Sequence, residues 1–257
     1  MKTPLPLSVA LITYNEEKNL PTTLGAIKDI ASEIIVVDSY STDKTVEIAK
    51  KYGAKVFIED WKGFRDQKNS ALKKCSKDWI LFLDADEVVS KELKEEIIDV
   101  IENPKADGYF LNRKTYYAGK FLEHTWQPDY VLRLVKKSSN PRWEGGNIHE
   151  YLKIDGKTAK LKGYLYHYTY KDLKDHYEKS LKYAKISAEE MYKKGKKFHY
   201  YNLILNPSWA FFKQYFFKLG FLDGIRGLSV AMSYFFSTFL KYLFLWELHE
   251  KDKNTRS

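Results

Sequence analysis

The sequence predicts an α/β fold: a mainly parallel sheet with helices on both faces, followed by a helical, aromatic-rich C-terminal extension. Two observations lead to this prediction. Short apolar runs alternate with amphipathic helical stretches over the first hundred residues, which is typical of right-handed βαβ units. From about residue 171 the spacing of apolar residues is helical. We therefore expect one domain over residues 1–170 and a helical extension over residues 171–257.

The first hundred residues are predicted to form four strands, each followed by a helix. The second strand contains Ile-Ile-Val-Val at 34–37, an apolar run typical of a buried parallel strand. Gly53 is expected to end the second helix, and Ser90 to cap the fourth. The strands are predicted at 7–13, 33–38, 55–59 and 79–83, and the helices at 16–30, 45–52, 64–74 and 91–101.

The pattern is more mixed after Pro104, with strands expected at 109–113, 130–135 and 161–168. The extension then contributes three helical stretches: from Lys171, after Pro207, and over residues 228–246. Its longest uncharged apolar run, at 227–240, has 14 residues, whereas a spanning helix needs roughly 18 or more. A transmembrane segment is therefore not expected.

The composition indicates a chain large enough for a substantial core and divides its charge unevenly. It has 257 residues, of which 44% are hydrophobic, and its only cysteine is Cys75, so an internal disulfide is excluded. Residues 1–150 hold 23 Lys and Arg against 24 Asp and Glu, while residues 151–257 hold 20 against 10. The excess positive charge of the second part predicts an anionic partner there.

The most informative stretch joins an apolar run to closely spaced acids: Trp-Ile-Leu-Phe-Leu at 79–83, then Asp84-Ala85-Asp86-Glu87. Open α/β sheets bind ligands at the carboxyl ends of their strands. Two carboxylates at such an edge repel each other unless a cation lies between them. Mg²⁺ and Mn²⁺ take oxygen ligands and share them with substrate phosphates. The segment therefore indicates a metal-diphosphate site, with an ordinary capping loop before Ser90 as the alternative.

Polar residues follow two further strands of the predicted sheet. The first strand ends in Thr-Tyr-Asn-Glu at 13–16, and the second in Asp-Ser-Tyr-Ser-Thr-Asp at 38–43. Because parallel strands place their carboxyl ends at one edge of the sheet, these two segments are expected to share one crevice with Asp84-Ala85-Asp86, which we call the acidic triplet.

These motifs resemble the inverting glycosyltransferases of family 2, whose GT-A fold is Rossmann-like. The similarity covers roughly residues 5–170 and rests on the three strand ends and on Lys68-Asn69. Later motifs are similar to those of bacterial glucosyltransferases of the lipopolysaccharide inner core, namely Gly119-Lys120, Pro128-Asp129-Tyr130, Arg133-Leu134, His149-Glu150 and residues 215–227. The resemblance implies metal-dependent transfer of a hexose, with glucose as the first choice, from a UDP-sugar to a lipopolysaccharide-core or other glycan acceptor.

The resemblance also implies roles for individual residues. Asp38 would accept a hydrogen bond from uracil, and Lys68 would face the nucleotide or diphosphate where relatives often have Arg. Asp84 would touch ribose or metal, and Asp86 would hold the divalent cation, Mn²⁺ or Mg²⁺. The nucleotide-sugar pocket would be lined by Thr13, Asn15, Glu16, Asp38, Ser41, Lys68, Asp84, Ala85 and Asp86.

Five further residues complete the predicted site. Inverting transfer needs a base for the acceptor hydroxyl, and Glu150, after the glycines at 145–146, is the candidate; a surface pair with a lysine is the alternative. His167 would complete the metal site, with His149 as the substitute, or else is a packed histidine among tyrosines. Arg113 and Arg133 would each reach the diphosphate or an anionic acceptor, or only pair with a nearby acid.

The aromatic helical stretches of the extension have lysines beside them, which is typical of helices lying in a membrane interface. We therefore expect peripheral membrane contact through residues 207–246, at the cytoplasmic face of the cell membrane, where a lipid-linked acceptor would be presented. Internal packing or a homodimer contact is the alternative explanation for these helices.

Other functions explain less of the sequence. A nucleic-acid-binding protein would explain the positive charge, but the sequence has no RNA- or DNA-binding motif and we expect no nucleic-acid partner. A nucleotidyltransferase would have a glycine-rich loop after the first strand, where this chain has Thr13-Tyr14-Asn15-Glu16. A glycosyltransferase that modifies a protein or peptide remains the alternative for the acceptor.

Overall fold

The computed structural model describes residues 4–146 and 150–256, which fall into two compact units. The first unit contains the described residues up to 114 together with residues 128–167, apart from the gap at 147–149. The second unit contains residues 115–127 and the described chain from residue 168 onwards. It therefore includes a segment, 115–127, that the sequence analysis placed with the first domain.

Eleven strands occur in the described residues. They are β1 (Leu5–Thr13), β2 (Ala31–Asp38), β3 (Lys55–Ile58), β4 (Trp79–Phe82), β5 (Glu87–Val89), β6 (Gly108–Tyr117), β7 (Lys120–Phe121), β8 (Tyr130–Lys136), β9 (Arg142–Gly145), β10 (Glu150–Lys153) and β11 (Thr158–His167). The main sheet has the order β3-β2-β1-β4-β8-β6-β11-β5, and β9 pairs with β10 in a separate hairpin.

The predicted parallel arrangement is confirmed for the part of the sheet that carries the strand-end motifs. Strand β1 is parallel to both β2 and β4, and β2 is parallel to β3. Thr13 pairs with Asp38 in the β1–β2 register, so the two strands end level with each other. Strand β8 is antiparallel to both β4 and β6, and β11 is antiparallel to β5, which is the mixed region expected after Pro104.

Helices cover both faces of this sheet, as predicted. One face packs against α1 (Leu20–Ile27), α2 (Thr45–Lys51) and α4 (Lys91–Glu102), through buried residues such as Leu24, Ala49 and Ile97. The other face packs against α3 (Phe64–Lys74) and the β9–β10 hairpin, through Ala71, Trp143 and Leu152. Helix α1 is shorter than the predicted 16–30 because it begins at Leu20, with Pro21 in its first turn.

Glu33 is a buried carboxylate that joins neighbouring segments at the edge of the sheet opposite to the strand-end motifs. Glu33 accepts hydrogen bonds from Ser8 Oγ at 2.6 Å and from Ser76 N at 2.8 Å, and pairs with Lys55 Nζ at 2.9 Å. Burial alone would raise the pKa of Glu33, but the hydrogen bonds from Ser8, Lys55 and Ser76 outweigh it and lower the pKa to about 2. Its ionised form therefore stabilises the folded state.

We expect Glu33→Gln to lower the free energy of unfolding by about 2–3 kcal/mol at pH 7. Because the folded-state pKa lies below the ordinary value, this stabilisation is complete above about pH 4.5 and is lost as pH falls towards about 2. Urea unfolding at pH 7 and at pH 3 measures the effect. If the free energies of unfolding of the native protein and the variant differed by the same amount at both pH values, the stabilising role of ionised Glu33 would be contradicted.

The second unit is helical, with helices α5 (Leu173–Lys193), α6 (Leu205–Phe212) and α7 (Ile225–Arg256), and a wider π turn at Lys213–Phe217. Its small core contains Tyr117, Leu122 and Val230. The Tyr117 hydroxyl lies 2.8 Å from His176 Nδ1 and 2.9 Å from Ser229 Oγ. Burial lowers the pKa of His176 to about 4, so this histidine is neutral at physiological pH.

Helix α7 is longer than the stretch 228–246 predicted from the sequence. Lys241 does not interrupt it, and Ile225–Lys253 forms the one helix among the described residues that is long and apolar enough to cross a membrane, with a mean hydropathy of 1.4. Length and composition alone are weak grounds for a membrane span, because core helices of soluble proteins share them.

Candidate active site

The loops that follow β1 and β2 are tied together by Asp38. This aspartate is fully buried and accepts hydrogen bonds from Thr13 Oγ1 at 2.8 Å, Ser41 N at 2.8 Å and Ser41 Oγ at 2.5 Å. A carboxylate has about four acceptor sites, and these three hydrogen bonds occupy most of them. Asp38 thus holds the shape of the predicted nucleotide pocket through Thr13 and Ser41.

Asn15 and Glu16 extend the same hydrogen-bond network. Asn15 N donates to Ser41 Oγ at 2.8 Å, while Asn15 Oδ1 accepts from Thr42 N at 2.8 Å. Glu16 N donates to Thr45 Oγ1 at 2.7 Å. Asn15 has a φ of 55°, a left-handed conformation that asparagine adopts more readily than most residues. The first two predicted strand ends therefore form one hydrogen-bonded rim.

The acidic triplet after β4 forms a tight turn that is held from two sides. Thr23 Oγ1 of α1 donates to the carbonyl oxygen of Ala85 at 2.7 Å. Asp84 N donates to Glu87 Oε2 at 3.0 Å, and Glu87 is fully buried. Ala85 therefore contributes its backbone to the turn, and Glu87 fixes the position of Asp84.

Two buried cations converge on Asp84. Lys68 Nζ of α3 lies 3.1 Å from Asp84 Oδ1, and Arg133 Nη2 of β8 lies 2.6 Å from Asp84 Oδ2. Burial would raise the pKa of Asp84, but the charges of Arg133 and Lys68 hold it well below its usual range. Burial would likewise lower the pKa of Arg133, but Asp84 and Glu87 raise it above normal. Asp84 and Arg133 therefore stay ionised at physiological pH.

Glu150 belongs to the same charged cluster, because its Oε1 lies 2.9 Å from Lys68 Nζ. The Glu150 side chain is only 13% exposed, so its partner is the buried lysine of the site and not a surface lysine. Trp143 on β9 lies beneath both cations, with its ring 4.5 Å from Lys68 Nζ and 5.7 Å from Arg133 Cζ. Asn69 joins α3 to this strand by two hydrogen bonds to the Trp143 backbone, both at 3.0 Å.

Asp86 and His167 lie beside each other, with His167 Nε2 at 3.5 Å from Asp86 Oδ2. The register of the sheet explains this proximity, because antiparallel pairing of β11 with β5 places His167 opposite Glu87. Within residues 4–146 and 150–256, no group of three or more His, Cys, Asp or Glu side chains is arranged to hold a metal ion. Asp86 and His167 are therefore a pair of donors and not a complete cage.

The two arginines named from the sequence both pair with acids. Arg113 lies 2.8 Å from Asp129 and 3.5 Å from Glu87. Burial alone would lower the pKa of Arg113, but the charges of Glu87 and Asp129 outweigh it and raise the pKa. Arg133 bonds Asp84 and also Glu87, at 2.9 Å. His149, the substitute metal ligand, lies outside the described residues.

Three kinds of residue at this site were missed by the sequence analysis. Glu87 was passed over because it follows the triplet and resembles a helix-capping acid. Trp143 gave no signal, since its partner Lys68 is far away in the chain. Tyr14 and Tyr40, 59% and 60% exposed at the ends of β1 and β2, could have been found from their positions within the strand-end motifs.

The arrangement has the chemistry of a site for a polyanion attached to a flat ring. A hydrogen-bonded rim with exposed aromatic rings suits a nucleobase, and two fixed cations suit phosphate oxygens. A carboxylate–imidazole pair beside them suits a divalent cation. Glu150 adds a carboxylate 2.9 Å from Lys68 Nζ, and a carboxylate can act as a proton acceptor for a second substrate.

Comparison with protein-family models matches residues 8–166 to the glycosyl transferase family 2. An uncharacterized glycosyltransferase of Rickettsia typhi is 32% identical, over 96% of this chain and 89% of that protein. The lipopolysaccharide core biosynthesis glycosyltransferase LpsC of Rhizobium meliloti is 28% identical, over 95% of this chain and 93% of that protein.

Solved structures share the fold at low sequence identity. The mannosyltransferase PcManGT of Pyrobaculum calidifontis superposes with a TM-score of 0.55 at 13% identity, covering 94% of this chain and 88% of that chain. A form of S. aureus TarS spanning residues 1–349 superposes with a TM-score of 0.50 at 18% identity, covering 95% and 92%. The GT-A architecture expected from the sequence is confirmed.

Proposed function

The chain belongs to the glycosyl transferase family 2, and from this premise we propose that it transfers a hexose, glucose as first choice, from a UDP-sugar with inversion. The acceptor we propose is a lipopolysaccharide-core or other glycan. The observation that carries the proposal is that Lys68 and Arg133 pair with Asp84, and His167 with Asp86, at the carboxyl end of β4.

The uridine part of the donor is assigned to the rim formed by the loops after β1 and β2. Thr13, Asn15, Glu16 and Ser41 shape this rim through the hydrogen bonds described above, and the remaining acceptor site of Asp38 would receive the uracil N–H. The exposed rings of Tyr14 and Tyr40 offer apolar faces to the base. TarS was solved with UDP-GlcNAc and PcManGT with GDP-mannose, so this fold accommodates nucleotide sugars in other proteins.

The residues present fit a divalent cation. A carboxylate oxygen and an imidazole nitrogen 3.5 Å apart are donors that Mn²⁺ accepts, and Mg²⁺ sites likewise take few protein ligands and complete their shell with phosphate oxygens and water. Asp86 and His167 would hold the ion. Both oxygens of Asp84 are engaged by cations, so we assign Asp84 chiefly to orienting Lys68 and Arg133, next to the ribose or the metal. When bound, the ion would offset the charge of the departing diphosphate.

Lys68 and Arg133 would also offset the charge of the departing diphosphate. Both are buried and fixed, so that their charge needs little reorganisation when negative charge develops on the leaving group. Lys68 is a point charge and orients less strictly than an arginine, whereas Arg133 retains planar geometry. Glu87 keeps Arg133 in place, because its carboxylate accepts from Arg133 Nη2 at 2.9 Å and from Asp84 N at 3.0 Å.

Glu150 is assigned as the base that takes the proton from the acceptor hydroxyl as the new glycosidic bond forms. Its carboxylate shares Lys68 with Asp84. If the diphosphate attracts the Lys68 ammonium, the ion pair between Lys68 and Glu150 would loosen and leave the carboxylate free to accept a proton. Binding of the donor would in this way prepare the base, which favours donor binding before acceptor binding.

The acceptor that we propose for the transferred sugar is a glycan. Two observations favour an anionic glycan: similarity to LpsC over nearly the whole chain, and the surplus of ten positive charges carried by residues 151–257, with 20 Lys and Arg against 10 Asp and Glu. A protein or peptide acceptor remains the second candidate, since a basic surface also suits an acidic peptide.

A donor screen tests the proposal directly. The purified protein is incubated with UDP-glucose, UDP-galactose, UDP-GlcNAc and GDP-mannose, each with Mn²⁺, with Mg²⁺ or with a chelator, and nucleoside diphosphate release is measured. We expect slow release of UDP from a UDP-hexose, dependent on the divalent ion, and faster release when a core oligosaccharide is added. Preference for GDP-mannose, or release that the chelator does not change, would contradict the assigned donor or the assigned ion.

A further inference from the structure

Residues 200–225 form an exposed apolar surface in the second unit, which we call the aromatic surface. Twelve large apolar side chains in this short segment are at least 44% exposed, among them Trp209 at 59% and Phe217 at 69%. Isolated exposed apolar residues are normal in soluble proteins, but a continuous group of this size marks an interaction site.

The rings of the aromatic surface are covered mainly by one another. Trp209 contacts Phe217 with ring centroids 5.5 Å apart, and Phe212 stacks on Phe216 at 5.4 Å. Phe212 and Phe216 nevertheless remain 50% and 48% exposed. Residues 205–217 thus present a set of exposed rings that contact one another.

The charge around this surface has one sign. No Asp or Glu occurs between Glu190 and Asp223, whereas six lysines do: Lys193, Lys194, Lys196, Lys197, Lys213 and Lys218. The carboxylate of Asp223 is engaged within the unit, accepting from the backbone N–H groups of Glu123 at 3.0 Å and Thr125 at 2.7 Å. Exposed aromatic rings in a segment whose charged residues up to Asp223 are all lysines complement the interface of an anionic bilayer, where rings enter the headgroup region and lysines meet phosphates.

Helix α7 is apolar enough to span a bilayer by composition, but its packing argues against this. Helix α5 packs along α7, and nine of the 21 residues of α5 are Lys, Asp or Glu. The groove between the two helices is lined largely by charged residues, including Glu178, Lys185 and Glu247. If α7 crossed the hydrocarbon, α5 would carry these charges with it.

We propose that this protein docks on anionic membranes by partial insertion of the aromatic surface, residues 200–225, while α7 stays outside the hydrocarbon core. This shifts the contact from the region 207–246 expected from the sequence to residues 200–225, which include only the first residue of α7. The inference concerns where the enzyme works and does not depend on the donor or acceptor proposed above, because membrane binding is measured without turnover.

Vesicle flotation with the full-length chain tests the proposal. Vesicles of phosphatidylcholine with about one third phosphatidylglycerol are compared with vesicles of pure phosphatidylcholine. We expect the native protein to bind the anionic vesicles at least about tenfold more tightly. The double variant Trp209→Ser/Phe217→Ser is expected to bind them at least about tenfold more weakly than the native protein, because two inserted rings are lost.

The chain offers a matched control in the first unit. Trp61 and Phe64 also contact each other, at 4.8 Å, and are 50% and 42% exposed. Trp61→Ser/Phe64→Ser removes a similar ring pair and is expected to change vesicle binding by less than about twofold. Equal losses in both double variants would overturn the assignment to the aromatic surface.

Two measurements do not depend on these variants folding. Brominated lipids are expected to quench the tryptophan fluorescence of the native protein, and Trp209→Phe to remove much of that quenching. A protease added outside sealed vesicles is expected to remove a C-terminal tag completely; protection of the tag would mean that α7 spans the bilayer. A concentration-dependent dimer without vesicle binding, seen by light scattering and flotation, would instead make the surface a self-association interface and overturn the proposal.

Discussion

Glu150→Gln is expected to lower the rate of sugar transfer by about 10²–10⁴-fold, the usual contribution of a general base. Glutamine has nearly the same shape but cannot take the proton of the acceptor hydroxyl. It can still accept a hydrogen bond from Lys68, which lies 2.9 Å from Glu150 Oε1 in the native protein. UDP-sugar affinity should therefore change by less than about threefold, and single-turnover transfer assays with donor titrations separate the two effects.

Glu144→Gln is the matched control for this variant. Glu144 lies on β9, in the same hairpin as Glu150, but it is 33% exposed and pairs with Arg142 and Lys153. Surface ion pairs contribute little, so transfer by this variant should be nearly normal. Near-normal transfer by Glu150→Gln as well would show that another group removes the proton.

Asp86→Ala is expected to lower turnover by about 10³-fold or more, because the site loses one of its two assigned metal donors and with it the charge stabilisation of the departing diphosphate. His167 alone would remain. Raising the Mn²⁺ concentration should restore part of the activity if weakened ion binding is the cause. Initial rates of the native protein and the variant, measured over a series of Mn²⁺ concentrations, give both the loss of turnover and the part that Mn²⁺ restores.

Asp29→Ala is the control for the loss of an aspartate from the same unit. Asp29 precedes β2, at the edge of the sheet opposite to the site, and its 61% exposed side chain pairs only with Lys94 among the contacts described. This variant should keep the native rate and the native Mn²⁺ dependence. A native Mn²⁺ dependence in Asp86→Ala would mean that the ion is held elsewhere.

The sequence was sufficient to predict β1 to β4 and the helices between them. These elements are specified locally: an apolar strand, a polar strand end and an amphipathic helix recur in order, and parallel pairing then places the three strand ends at one edge. The same logic located Asp86, whereas His167 was named from the resemblance to family 2 glycosyltransferases. The structure brings the two side chains to 3.5 Å from each other.

The charge network of the site could not be predicted from the sequence in the same way. Lys68, Glu87 and Arg133 lie on α3, β5 and β8, and only the packing of these three elements decides which cation meets which carboxylate. Strands β5, β9 and β10 have at most four residues each, too few for a periodic signal. The hydrogen bonding of Asp38 could not be predicted either, because the sequence does not reveal that Thr13 and Ser41 occupy most of the acceptor sites of its carboxylate.

The central claim is that the strand-end residues of the first unit bind the diphosphate of a UDP-sugar together with a divalent cation. Calorimetric titration of the native protein with UDP, in Mn²⁺ and then in excess chelator, tests it most directly. We predict saturable one-to-one binding in Mn²⁺ that becomes at least about tenfold weaker, a loss of about 1.4 kcal/mol, in chelator. Equal UDP affinity under both conditions, or no UDP binding at all, would contradict the claim.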